Sequence, residues 1–136
     1  MPKSVELFYD YASTFSYLAW MAMPAFAKRT GAAVVPRPML LGGLFKAVGN
    51  HSPVDVPAKG AYMKLEMRRN ADRTGIPFRM NSKFPVNSLH LMRGAIVAQE
   101  EGTLQAYSDA VFKAIWQEDK DLLDLPTLGA VLGSVG

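Results

Sequence analysis

What most restricts the fold of this chain is the order of its periodic segments, which run strand, helix, strand and then helices alone. Val5, Leu7, Tyr9 and Tyr11 alternate with Glu6, Phe8 and Asp10 in a run rich in aromatic and β-branched residues, the pattern of a strand buried on at least one face. Ser13 or Thr14 then caps a helix carrying Phe15, Leu18, Ala19, Ala22, Phe26 and Ala27 at helical spacing, ending near Gly31. Pro24 lies inside it and is expected to kink or divide it. Ala32 to Leu40 reads as a second strand, which Pro36 and Pro38 restrict to an edge, a bulge or an early ending. A helix between two strands favours a right-handed crossover with the strands parallel.

The remainder is helical. Leu41 to Val48 fits a short helix, and Gly49 to Pro53 is a turn cluster. Ala58 to Thr74 is a charged helix closed by Gly75, Ile76 to Pro85 is irregular, and Val86 to Gln99 is helical up to the break at Gly102. Leu104, Tyr107, Ala110, Val111, Ala114 and Ile115 mark another helix ending near Gln117, and Thr127 to Leu132 begins one more. Two parallel strands do not make a stable sheet alone. Partner strands are therefore expected from another chain, or this sequence is the first part of a longer protein.

Composition removes several function classes. The 136 residues contain no cysteine, so disulfide scaffolds, thiolate metal sites, cysteine nucleophiles and dithiol redox chemistry fall away together. Fifteen Lys and Arg against twelve Asp and Glu give a net charge of +3 spread along the chain, which argues against nucleic acid as a partner. The apolar stretch from Leu18 to Ala27 is too short to span a bilayer, and the first residues lack the pattern of a secretory signal. A soluble cytoplasmic protein with no membrane partner is the expectation. His51 and His90 have no third ligand at metal-binding spacing.

The chemistry-bearing segment is Phe8-Tyr9-Asp10-Tyr11-Ala12-Ser13-Thr14-Phe15-Ser16-Tyr17-Leu18-Ala19, at the first strand-to-helix turn. Ser13 and Ser16 stand at the spacing of a C-x-x-C motif. A hydroxyl there can be a helix cap and nothing more. The same geometry also suits an anion, because free backbone N–H groups and the positive dipole end point at it, and a thiolate from a small-molecule thiol fits that description.

This segment resembles the opening of the 2-hydroxychromene-2-carboxylate isomerase family, grouped with kappa-class glutathione transferases in the thioredoxin-like, disulfide-oxidoreductase type of fold. Further matches follow in order at Arg37 to Lys46, Gly49-Asn50, Pro57 to Tyr62 and Phe84-Pro85-Val86-Asn87-Ser88. The resemblance implies an α/β fold. In it an N-terminal βαβ part of a thioredoxin-like domain, residues 1–45, is followed by an all-helical insertion, residues 46–136, with the sheet completed afterwards. It implies a glutathione-dependent cis-trans isomerase acting on a small aromatic carboxylate, as a homodimer.

By resemblance, Ser13 is the catalytic serine that holds the glutathione sulfur as thiolate, Phe15 and Asn50 contact glutathione, and Lys46 attracts the substrate carboxylate. Thr14 departs from the family's usual Ser-Pro turn. The family's later part, with its remaining strands, a Gly-x-Pro-Thr-type loop with a cis proline and further glutathione contacts, lies beyond Gly136, so a C-terminally truncated, impaired chain is expected. Two other readings stay open: kappa-class transferase activity on electrophiles, and a non-catalytic oligomeric fragment.

Overall fold

The computed structural model describes residues 3–134. Strand β1 (Ser4–Tyr9) pairs in parallel with β2 (Ala33–Pro38), with Ser4 opposite Ala33 and Tyr9 opposite Pro38, and helix α1 (Thr14–Thr30) makes the crossover. Helix α2 (Leu41–Ala47), a 3-10 turn (Pro53–Asp55), α3 (Pro57–Thr74), α4 (Leu89–Glu100), α5 (Leu104–Trp116) and α6 (Leu125–Gly133) follow. No described helix is long and apolar enough to cross a membrane.

Parity explains how β2 tolerates its prolines. Ala33 N–H donates to the Lys3 carbonyl at 2.8 Å and Met39 N–H to the Tyr9 carbonyl at 3.0 Å, so the odd-numbered residues of β2 face β1. Pro36 and Pro38 fall on the other parity. Their missing N–H groups point away from the pairing edge, and the ladder loses nothing.

Several boundaries differ from those the periodicity predicts. The first strand stops at Tyr9 rather than Tyr11, because the Asp10 carboxylate accepts the Ala12 N–H at 2.8 Å and turns the chain. Helix α1 runs through Pro24 without being divided. Helix α4 begins at Leu89 rather than Val86, since the Asn87 side chain accepts the Leu89 N–H at 3.1 Å. Helix α6 starts at Leu125, where Asp124 accepts the Thr127 N–H at 3.0 Å and Pro126 occupies the first turn.

The core lies between the crossover and the α4/α5 pair. Phe112 stands among Tyr9, Tyr11, Tyr17 and Trp20, with ring centroids 5.9, 4.9, 6.0 and 5.7 Å away. Burying tyrosines requires partners for their hydroxyls. Tyr9 and Tyr11 share the Ser108 hydroxyl at 3.1 and 2.7 Å, while the Tyr17 hydroxyl donates to the Pro77 carbonyl and accepts from Gln117 Nε2 at 3.0 Å. The Tyr11 carbonyl accepts from Trp116 Nε1 at 2.8 Å. The turn after β1 is thereby fastened to the end of α5.

The irregular stretch between α3 and α4 is pinned to the same place. Asn81 is buried and donates to the carbonyls of Ile115 at 3.1 Å and Lys120 at 3.0 Å, and Arg79 N–H donates to the Trp116 carbonyl at 2.7 Å. Phe78 and Phe84 lie against the Trp116 ring, at centroid distances of 6.1 and 6.0 Å. A stretch without regular structure is therefore held as firmly as a helix.

A Cβ at Gly94 would overlap the Tyr107 hydroxyl, which donates to the Leu91 carbonyl at 2.9 Å. Gly94→Ala is expected to cost about 1–3 kcal/mol as overpacking, read as a lower urea midpoint with unchanged slope. Burial raises the Tyr11 hydroxyl pKa, and burial followed by the nearby Tyr9 pushes Tyr107 from 10.0 up to about 12. With the folded values above the unfolded ones, the neutral hydroxyls favour the fold fully below about pH 10, and that stability is lost as pH rises toward about 12. Denaturation midpoints should be flat in this respect below pH 10 and fall steeply above it.

Candidate active site

The turn that ends β1 is built around Asp10. Its buried carboxylate accepts the Ala12 N–H at 2.8 Å through Oδ1 and the Leu41 N–H at 2.8 Å through Oδ2, joining the start of α1 to the start of α2. The Asp10 carbonyl accepts the Ser13 N–H at 3.0 Å, and its own N–H donates to Ser16 Oγ at 3.3 Å. Ser16 thus serves the turn and not the open side of it.

Ser13 is the N-cap of α1, with φ −90° and ψ 118°, and its hydroxyl oxygen accepts the Ser16 N–H at 3.1 Å. The hydroxyl hydrogen is left to donate. The N–H groups of Thr14 and Phe15 have no acceptor among the described residues, because the bonds of this turn go to Ser13, Ser16 and Tyr17. Thr14 is 3% exposed, and its hydroxyl makes no hydrogen bond among the described residues. Together these groups form a small donor cluster at the positive end of a helix.

The cluster opens onto a cleft of about 510 Å³. One wall comes from Leu40 to Gly43, another from Phe84 to Leu89, and Phe45, Pro53 and Met63 supply further apolar surface. The Phe84–Pro85 peptide bond is cis and lies on this wall. Apart from Asp10, no charged side chain lines the cleft among the described residues. Hydrogen bonds and charges set against such an apolar lining act more strongly than at a fully exposed surface.

The four residues singled out from sequence fall in different places. Ser13 and Phe15 border the cleft, with Phe15 half exposed at the rim, where it also faces an adjoining groove lined by Lys59, Tyr62 and Glu66. Asn50 borders a neighbouring cavity of about 270 Å³ that shares Phe45, Ser52 and Pro53 with the cleft, and its side chain accepts the His51 N–H at 2.8 Å. Lys46 is exposed on α2 and is not among the residues lining these spaces. Residue-by-residue reading assigns no site role to Asp10, Thr14 or Ser88, all of them buried cleft-lining groups. For Ser88 a signal existed, since Asn-Ser directly before an apolar helical run is a helix-start pattern.

Removing the carboxylate at position 10 strands two partly buried N–H donors at about 1–3 kcal/mol each. Asp10→Ala is expected to destabilise the chain by about 2–4 kcal/mol, and Asp10→Asn, with one acceptor oxygen, by about half as much. Chemical denaturation of the two variants gives the comparison.

Known proteins share this arrangement of chain. The profile of the DsbA-like thioredoxin domain matches residues 4–136. The 2-hydroxychromene-2-carboxylate isomerase of Sphingobium xenophagum is 28% identical over 138 residues, covering 100% of this chain and 70% of that one. The enzyme of the same name from Pseudomonas putida is 31% identical, covering 91% and 62%. Glutathione S-transferase kappa 1 of Rattus norvegicus is 28% identical, covering 90% of this chain and 58% of its own. A solved 2-hydroxychromene-2-carboxylate isomerase superposes with a TM-score of 0.81 at 31% identity, over 98% of this chain and 66% of that structure. The chain thus spans between 58% and 70% of the length of these curated relatives.

Proposed function

This chain belongs to the family of DsbA-like thioredoxin domains, and we propose that within it the cleft at Ser13 binds glutathione as thiolate for a cis-trans isomerisation of an aromatic carboxylate. The observation that carries the reading is the Ser13 hydroxyl: its oxygen is engaged as a helix cap, its hydrogen is free, and two unpaired N–H groups stand beside it. The relatives are isomerases and glutathione transferases, which agrees with a thiol-dependent reaction.

Glutathione would supply a nucleophile whose reversible addition to a conjugated double bond makes that bond rotatable. The residues of this chain prepare the site for it. A free thiol has a pKa near 8.5 and is mostly protonated at neutral pH, whereas helix N-termini lower such values. Ser13 Oγ–H and the Thr14 and Phe15 N–H groups stabilise negative charge at one point, each by a charge-assisted hydrogen bond. Leu40, Met63, Phe84 and Val86 exclude water around it and offer an apolar bed for a planar substrate. Asp10 does not oppose the charge freely, because both of its oxygens are bonded to backbone N–H groups at two helix starts.

A pair of variants separates the cap from the sulfur role. Ser13→Asp keeps an acceptor for the Ser16 N–H and is expected to retain thermal stability while abolishing glutathione binding in a calorimetric titration. Ser13→Ala is expected to lose roughly 1 kcal/mol of stability with the cap and at least about tenfold in glutathione affinity. Unchanged affinity in both variants would end the assignment. In a preparation that turns over, conjugation of a model electrophile faster than isomerisation would favour the transferase reading.

A further inference from the structure

The residues that lead into α4, Asn87, Ser88 and Leu89, border the same cleft. Ser88 is 5% exposed and lines the cleft, yet its hydroxyl does not cap α4 and makes no hydrogen bond among the described residues. No buried side-chain oxygen among those residues is both unpaired and sealed from solvent, so this oxygen keeps an opening, and Ser88 is a residue of the cleft wall. The first backbone donors of α4 are partly spent: Asn87 takes the Leu89 N–H at 3.1 Å and the Ser88 carbonyl takes the Met92 N–H at 2.8 Å. The His90 and Leu91 N–H groups have no acceptor among the described residues.

A hydroxyl that has no protein partner and is open to solvent is free to exchange water for a ligand's acceptor. The surrounding chemistry narrows what that ligand group is. Among the described residues no Lys, Arg or His lines the cleft, so a doubly charged group such as a phosphate monoester finds no cation to pair with. A singly charged carboxylate on an apolar body matches one hydroxyl and the positive end of a helix.

We infer that Ser88 is a substrate-orienting residue that hydrogen-bonds the carboxylate of an aromatic acid lying along the apolar wall formed by Phe84 and Val86. This rests on the preceding reading for what occupies the Ser13 end. The cleft then has two anion-accepting poles, Ser13 on α1 for sulfur and Ser88 on α4 for the carboxylate, with apolar surface between. The substrate's reacting carbons are set by which pole holds which group.

The test uses 2-naphthoate and its uncharged isostere 2-naphthamide, with no thiol present. Titrated into the wild-type chain, 2-naphthoate is expected to shift the backbone amide resonances of Ser88, Leu89, His90 and Leu91, and 2-naphthamide to leave them in place. Ser88→Ala should weaken 2-naphthoate binding roughly fivefold to tenfold, the worth of one charge-assisted hydrogen bond. Glutathione affinity in that variant should remain as in the wild type. Shifts confined to residues 13–15, equal binding of acid and amide, or undiminished 2-naphthoate binding by a folded Ser88→Ala would each overturn the inference. The wild-type spectra decide the matter even where the variant fails to fold. Failure of glutathione to bind the wild-type chain, in a separate titration, would count against the sulfur site and not against Ser88.

Discussion

The Asp10 carboxylate, through its two hydrogen bonds, decides where everything near the cleft can be. One oxygen holds the first turn of α1 through Ala12 and the other holds the first residue of α2, Leu41. Without that clamp, the ends of β1 and β2 would still pair, but the two helices leaving them would have no common reference. With it, Ser13 and the Leu40–Gly43 wall are fixed relative to each other within a single residue's reach. The carboxylate is accommodated at low dielectric because it faces backbone donors at two helix starts, and Coulomb stabilisation is strongest where water is excluded.

The other side of the cleft depends on Trp116. Its indole nitrogen fastens the Tyr11 carbonyl, its ring packs on Phe78 and Phe84, and its own carbonyl takes the Arg79 N–H. A single residue at the end of α5 thereby sets the distance between the Ser13 turn and the Phe84–Ser88 wall. Substitutions far from the cleft at this position would change the cleft's width before they changed its chemistry.

Much of this was legible in the sequence, for physical reasons that differ by element. The parallel crossover follows from an alternating run, a helical run and a second β-branched run, and α5 is legible because Leu104, Val111 and Ile115 repeat on one face. Ser13 is visible because a cap residue announces itself before a periodic helix. Periodicity starts α4 too early because Val86 extends the apolar pattern, whereas the Asn87 side chain ends the helix upstream by accepting the Leu89 N–H, chemistry that periodicity does not register. The Tyr9, Tyr11 and Ser108 cluster, and the anchoring of Asn81 to the end of α5, join residues distant along the chain, and no local pattern encodes such partners.

The prolines of β2 have an effect beyond fitting the ladder. With no amide hydrogen at positions 36 and 38, the outward rim of that strand lacks the regular row of donors that an incoming chain would need for augmentation. Self-association by edge-to-edge stacking, the usual hazard of a small open sheet, is blunted on that flank. A strand that lengthens this sheet finds the fuller row of backbone groups beside β1, so two ring-closed residues bias the direction in which the sheet can grow.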